Sequence, residues 1–268
     1  MKYRRMMVTS RKGGVGKSTV SANLAFAFAR LGLRTMVVDL DLSNRSLDLF
    51  LGCEDSVIYD LSDLLSDRVP VEDVVLSSQK AENLYFLPGI FDASALSDEE
   101  RITSERLETS IIKAEEAFSL DLVIIDTSGS ADDSTNIAYP ICDTAVIVTN
   151  QTEVSIRAAE ATGYSLSQKE RKDLWLIINN FETDIKREPK ATALEIIDRT
   201  RLPIMGIVPH DERLCESQEK GLLVHENKKS GNATASFDNI ASRFMGKRVP
   251  LFSGLSHIKK RKLLSPKG

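Results

Sequence analysis

Three observations predict an α/β fold, a doubly wound, mostly parallel sheet with helices on both faces. Short β-branched runs alternate with helical stretches along almost the whole chain. Several runs are continuously apolar, Leu122-Val123-Ile124-Ile125 being the clearest, as strands covered on both faces require. The first run passes through a glycine-rich loop straight into a helix, the opening unit of such sheets.

In chain order, strands are expected at Arg4–Ser10, Arg34–Asp39, Asn83–Pro88, Asp121–Asp126, Thr144–Asn150, Leu174–Asn179 and Pro203–Val208. Helices are expected around 18–31, 57–66, 101–118, 153–170, 189–199, 211–220 and 232–245. In the first helix Val20, Leu24, Ala27, Phe28 and Leu31 form an apolar stripe that stops at Gly32. No internal repeat or low-complexity stretch interrupts the pattern. It gives way near Gly246–Pro250, so residues 1–246 read as one domain and 247–268 as a tail.

At 268 residues, with 42% hydrophobic and 28% charged residues, the chain has the make-up of a soluble globular protein with a sizeable core. No 18-residue apolar run exists to span a membrane. The first strand begins at once, so no signal peptide is expected. Cys53, Cys142 and Cys215 lie far apart and form no C-x-x-C, which predicts a reducing cytoplasm and argues against zinc or iron–sulfur binding. The net charge of −4 hides an asymmetry: residues 247–268 carry +7 and no acid, leaving −11 on the rest. An acidic body is a poor general DNA binder, whereas a basic tail suits an anionic surface.

Residues 8–19, Val-Thr-Ser-Arg-Lys-Gly-Gly-Val-Gly-Lys-Ser-Thr, form a phosphate cradle with two lysines. Backbone N–H groups of Gly13, Gly14, Val15 and Gly16 and of the helix start can wrap a polyphosphate, Lys17 can reach its terminal oxygens, and Ser18 is placed to coordinate Mg²⁺. Arg11 occupies the first glycine position of the strict motif. Lys12 comes too early to lie beside Lys17. Its charge is expected to point away from its own subunit, towards the phosphates of a second copy docked face to face.

Ligands of such sheets bind at the carboxyl ends of the strands. There the second strand ends Val37-Val38-Asp39-Leu40-Asp41, which puts two acids near the phosphates. The strand at 121–126 ends in Asp126, a Walker-B-type position for holding Mg²⁺, followed by Thr127-Ser128-Gly129. Gly129 can let a backbone N–H approach the γ-phosphate. On the far side, the amide of Asn179 is the expected adenine reader, with Asp211 and the backbone after Pro209 completing the pocket. His210 is expected to be incidental.

These stretches identify a resemblance. Lys12-Gly-Gly-Val-Gly-Lys-Ser-Thr19, Val37-Val38-Asp39-Leu40-Asp41, Arg45-Ser-Leu-Asp-Leu49 to Gly52-Cys53-Glu54, Tyr59-Asp60, Glu82-Asn-Leu-Tyr-Phe-Leu-Pro88, Ile125-Asp126, Thr149-Asn150 and Glu153-Val154-Ser155 are similar to the MinD/ParA family of deviant Walker A ATPases, and within it to the MinD branch. The match is dense to about residue 155 and looser beyond. The resemblance implies a P-loop NTPase fold of the SIMIBI type, with ATP and Mg²⁺ as cofactors and Ser18, Asp39 and Asp126 around the metal. It also implies an ATP-dependent homodimer with slow, partner-stimulated hydrolysis. Lys12 then reaches across the dimer, Lys17 serves its own phosphates, Thr19 completes the nucleotide cradle and Asp41 activates water.

Departures bear on partners. Ser46 replaces the usual Asn, Thr127-Ser128-Gly129 replaces a Ser-Pro-Ala-Gly-like switch, and the helix after Ser155 lacks the acids that the MinD branch directs at its partners. In the tail, Leu251, Leu255 and Ile258 follow helical spacing beside Lys259–Lys262, similar in position to the family's membrane-inserting helix, though Gly254 weakens it. The expected function is an ATP-hydrolysing switch, cytoplasmic with reversible peripheral membrane association, that positions a partner complex for division or flagellar placement. A ParA-like DNA-partitioning ATPase is the alternative. A metal-insertion or iron–sulfur carrier would call for paired cysteines.

Overall fold

A computed structural model describes residues 4–41, 46–91, 101–129, 133–169, 172–182, 190–226 and 231–251. Among the described residues, eight strands form one sheet in the order β3-β4-β2-β5-β1-β6-β7-β8. They are β1 (Arg5–Thr9), β2 (Thr35–Leu40), β3 (Leu76–Ser77), β4 (Leu84–Leu87), β5 (Leu122–Thr127), β6 (Thr144–Thr149), β7 (Asp173–Phe181) and β8 (Ile204–Pro209). All neighbours pair in parallel except β3, which runs antiparallel to β4 at one edge. The doubly wound, mostly parallel expectation therefore holds.

Side chains alternating along each strand feed two separate cores. Along β5, Leu122 and Ile124 join Met6, Val8, Val37, Val146 and Ile177 on one face. There Val20, Leu24 and Phe28 of α1 (Lys17–Arg30) and Phe237 and Ile240 of α10 (Asn232–Phe244) cover them. Val123 and Ile125 belong to the opposite core. They meet Leu107 and Ile111 of α5 (Ser104–Ala117), Ile156 of α7 (Glu153–Ser167) and Ile196 of α8 (Ala193–Thr200). Each fully buried Leu, Ile or Phe contributes about 1.5–3 kcal/mol, which is what lets fully apolar strands sit at the sheet centre.

Caps decide where the helices begin. Thr103 accepts from the N–H of Arg106, Thr152 from that of Ser155, and Thr192 pairs with Glu195 in a reciprocal capping box. The starts at 101 and 189 expected from periodicity are thus early by three and four residues. Periodicity also misses α2 (Leu47–Leu51), α4 (Val71–Val74), α6 (Ser134–Ala138) and the two-residue β3, and the helix expected at 57–66 shortens to α3 (Leu61–Leu65). Elements of five residues or fewer show too little of either period to be read.

α10 ends at Phe244, just before the expected boundary at residue 246. Arg243 donates to the Val249 carbonyl at 3.0 Å, and the Ile207 N–H on β8 points to the Leu251 carbonyl at 3.4 Å. The backbone at Val249 and Leu251 therefore touches the body. The rest of the expected tail, including Leu255, Ile258 and Lys259–Lys262, lies outside the described residues, as does Arg45.

Candidate functional site

β1 ends at Thr9 and α1 begins at Lys17, with the glycine loop between them. Gly14 and Gly16 adopt φ of 75° and 91°, left-handed values that glycine accepts without strain. Gly16 is the N-cap of α1 and offers no side-chain cap, so the first N–H groups of the helix are open to an anion. The cleft in front of the loop holds about 540 Å³ and is lined by the loop, Lys17–Thr19, Asp41, Ser46, Phe50, Gly129 and Gln218. Lys17 is buried within it. A Cβ on Gly129 would stand 2.8 Å from Lys17 Nζ and from Gly13 Cα, so the segment after β5 closes directly on the lysine. Lys12 is exposed at the mouth, its Nζ donating to the Gly13 carbonyl at 2.9 Å. Arg11, in the position of the missing glycine, donates to Ser165 of α7 at 3.1 Å.

Behind the loop lie the acids. Asp39 and Asp126 are register partners on β2 and β5, and both are buried. Asp126 accepts from Ser21 at 2.8 Å through Oδ1, while its buried Oδ2 meets no donor in hydrogen-bonding geometry. Burial pushes the Asp126 carboxyl up to about 6, against the pull of the Ser18 and Ser21 hydroxyls and of Lys17. Asp39 is held well above the usual carboxylate range, first by burial and then by Asp126. Its Oδ1 accepts the Asp41 N–H at 2.9 Å. Asp41 is buried at the cleft wall.

This donor set fits Mg²⁺. Asp126 carries an orphaned carboxylate oxygen, Ser18 lines the cleft, and a divalent cation would favour the charged form of the two buried acids. Among the described residues no three acids, histidines or cysteines form a metal cage. Mg²⁺ takes one or two carboxylates and fills its shell with water and phosphate. Ser18 and Asp126 are the residues that would hold it, with Asp39 beside Asp126 on the neighbouring strand.

The expected base pocket is rearranged. Asn179, buried at the end of β7, donates from Nδ2 to the Val15 carbonyl at 2.8 Å, and its Oδ1 is left without a partner. It braces the loop from behind, and only Oδ1 remains to meet an exocyclic amine. Asp211 is a double cap: it accepts from Arg213 N–H at 3.1 Å, starting α9 (Glu212–Glu219), and from Ala233 N–H at 3.3 Å, at the start of α10. Both of its carboxylate oxygens are thereby engaged, and Pro209 is buried at the end of β8. His210 pairs with Asn180 at 2.8 Å, away from the loop. Sequence reasoning missed Gln218, whose carboxamide donates to Thr19 Oγ1 and lines the cleft from α9.

The ParA family profile, described as NUBPL iron-transfer P-loop NTPase, matches residues 3–245. The chain belongs to the ParA family of P-loop NTPases. Septum site-determining protein MinD from Synechocystis is 32% identical over 247 residues, covering 91% of this chain and 90% of that protein. The MinC:MinD cell division protein complex of Aquifex aeolicus superposes with a TM-score of 0.80 at 28% identity, covering 92% of this chain and 98% of that one. MinD of Pyrococcus horikoshii complexed with Mg-ADP gives 0.75 at 26%, covering 90% and 95%. ATP and Mg²⁺ are thus the cofactors that fold, motif and family assign to the cleft of this ParA-family protein. Cys53 lies in one core and Cys142 in the other, both with thiols pushed up by burial, and Cys215 lies on α9.

Proposed function

We propose that this ParA-family NTPase is a MinD-like switch that binds and hydrolyses ATP, dimerises face to face on it, and positions a partner complex at a membrane. The exposed Lys12 at the mouth of a cleft that already contains a buried Lys17 supports the reading most directly. One cation serves the phosphates of its own subunit. The other is exposed, and a second copy docked face to face would bring its phosphates to it. Such a charge supplied in trans stabilises the transferring phosphoryl group and ties hydrolysis to dimerisation. Bound Mg²⁺ would neutralise developing phosphate charge. Ser18 and Asp126 would hold it, Lys17 would orient the terminal phosphate, and Asp41 at the wall of the cleft would orient the attacking water.

The membrane arm of the proposal rests on the basic tail. Residues 252–268 carry +5, about 1 kcal/mol for each basic side chain near an anionic leaflet. One tail binds marginally, and two in a dimer bind with avidity. The test is co-sedimentation with anionic liposomes and, separately, with plasmid DNA, with and without Mg-ATP. The full chain is expected to pellet with liposomes only with ATP and less at high salt, and a chain ending at Leu251 not at all. Liposome binding by the truncated chain, or none by the full chain, overturns the membrane arm. ATP-dependent DNA binding in its place supports a DNA-partitioning ATPase.

A further inference from the structure

The strand entering the phosphate loop and the strand carrying Asp126 end side by side, and α6 joins their last threonines. Thr135 Oγ1 lies 2.8 Å from Thr9 Oγ1 and 3.5 Å from Thr127 Oγ1, while Thr127 donates to the Val8 carbonyl at 3.1 Å. Each hydroxyl has one proton, so the run Thr9 to Thr135 to Thr127 to the Val8 carbonyl satisfies all three donors in one direction. One residue earlier, Ser134 Oγ accepts the Ser128 N–H at 3.1 Å and donates to Ser128 Oγ at 3.3 Å. Thr9, Thr127, Ser128 and Ser134 are all buried, where polar groups must keep their partners.

This network holds the residue next to the chemistry. Ser128 is followed by Gly129, whose backbone lies against Lys17 Nζ and Gly13 closely enough that a Cβ would be 2.8 Å from each. We infer that Ser134 and Thr135 are positioning residues for hydrolysis, setting the height of the Gly129 N–H over the terminal phosphate through Ser128 and Thr127. The inference rests on the reading of the cleft as an ATPase site. The hydroxyls matter here because Thr127-Ser128-Gly129 has no proline to stiffen it.

Ser134→Ala and Thr135→Val separate this role from a structural one. Both are expected to lower kcat by about 10- to 100-fold, with KM for ATP within about twofold, since misplacing a transition-state contact costs rate more than binding. Thr135→Ser, which keeps the hydroxyl, is expected to stay near wild type. In the nucleotide-free protein, hydrogen exchange at the Ser128 amide is expected to speed up in Ser134→Ala while exchange in β1 and β5 is unchanged. An unaltered kcat in both variants, a rise in KM at constant kcat, or a Thr135→Ser as slow as Thr135→Val overturns the inference. If the wild-type protein does not hydrolyse Mg-ATP, the ATPase reading fails. The exchange rate of Ser128 then decides the positioning role alone, faster exchange supporting it and unchanged exchange refuting it.

Discussion

The carboxamide of Asn179 occupies the space that a side chain on Gly16 would need. A Cβ there would meet Asn179 Nδ2 at 2.3 Å, and that same nitrogen donates to the Val15 carbonyl at 2.8 Å. The end of β7 therefore props the phosphate loop from behind, and the loop keeps its left-handed turn because nothing larger than hydrogen fits. Gly16→Ala is expected to cost about 1–3 kcal/mol from its φ alone, plus the clash. Asn179→Ala in the same chain relieves only the clash. Denaturant midpoints of the two single variants and the double variant are expected to show the double less destabilised than the sum of the singles. Strict additivity would mean the contact does not constrain the loop.

Lys17→Ala is expected to weaken ATP binding by about 10- to 100-fold, the worth of a charge-assisted hydrogen bond of about 1.5–3 kcal/mol. Titration with a fluorescent ATP analogue measures it. Near-normal affinity would remove Lys17 from the cradle.

Asp126→Asn exchanges function for stability. The Asp126 carboxyl, pushed up to about 6, keeps a proton in the folded chain that the unfolded chain releases near 3.8. Unfolding therefore releases a proton within that window, and stability falls as pH rises through it. Above pH 6 the buried charge costs about 1–3 kcal/mol. The variant is expected to melt higher than wild type at pH 7 without nucleotide, to lose that slope between pH 4 and 6, and to gain nothing from Mg²⁺ with ADP. A variant that melts lower, or that is still stabilised by Mg²⁺, contradicts the assignment.

Gln218→Ala removes the tie between α9 and Thr19. The dissociation constants for ATP and ADP are both expected to rise about fivefold, the effect of one neutral hydrogen bond of about 1 kcal/mol. A change confined to ATP would place Gln218 at the γ-phosphate instead.

What could be read in advance follows from how far each signal reaches. Val20, Leu24, Ala27 and Phe28 announce α1 by spacing, and all four are buried. Leu31 has the spacing of the same stripe but is 41% exposed, because the helix ends at Arg30 and Leu31 becomes its C-cap. Asp126 is legible because four apolar residues run into it. Gln218 is not: α9 is short and strongly polar, and the contact with Thr19 spans almost two hundred residues. Asp211 reads equally well as a ligand or a cap from sequence. Only the start of α10, brought beside it by β8, shows that both oxygens are engaged. The hydroxyl network of α6 was illegible for the same reason, since Thr9 and Thr135 meet only once β1 and β5 are paired.

The central claim is that Lys12 acts on a second subunit, and sedimentation velocity with Mg-ATP tests it most directly. The wild-type protein is expected to shift from monomer to dimer on adding ATP but not ADP. Lys12→Ala is expected to bind ATP with affinity close to wild type and to remain a monomer. An ATP-dependent dimer of undiminished affinity in Lys12→Ala, or no ATP-dependent dimer of the wild-type chain, would contradict it.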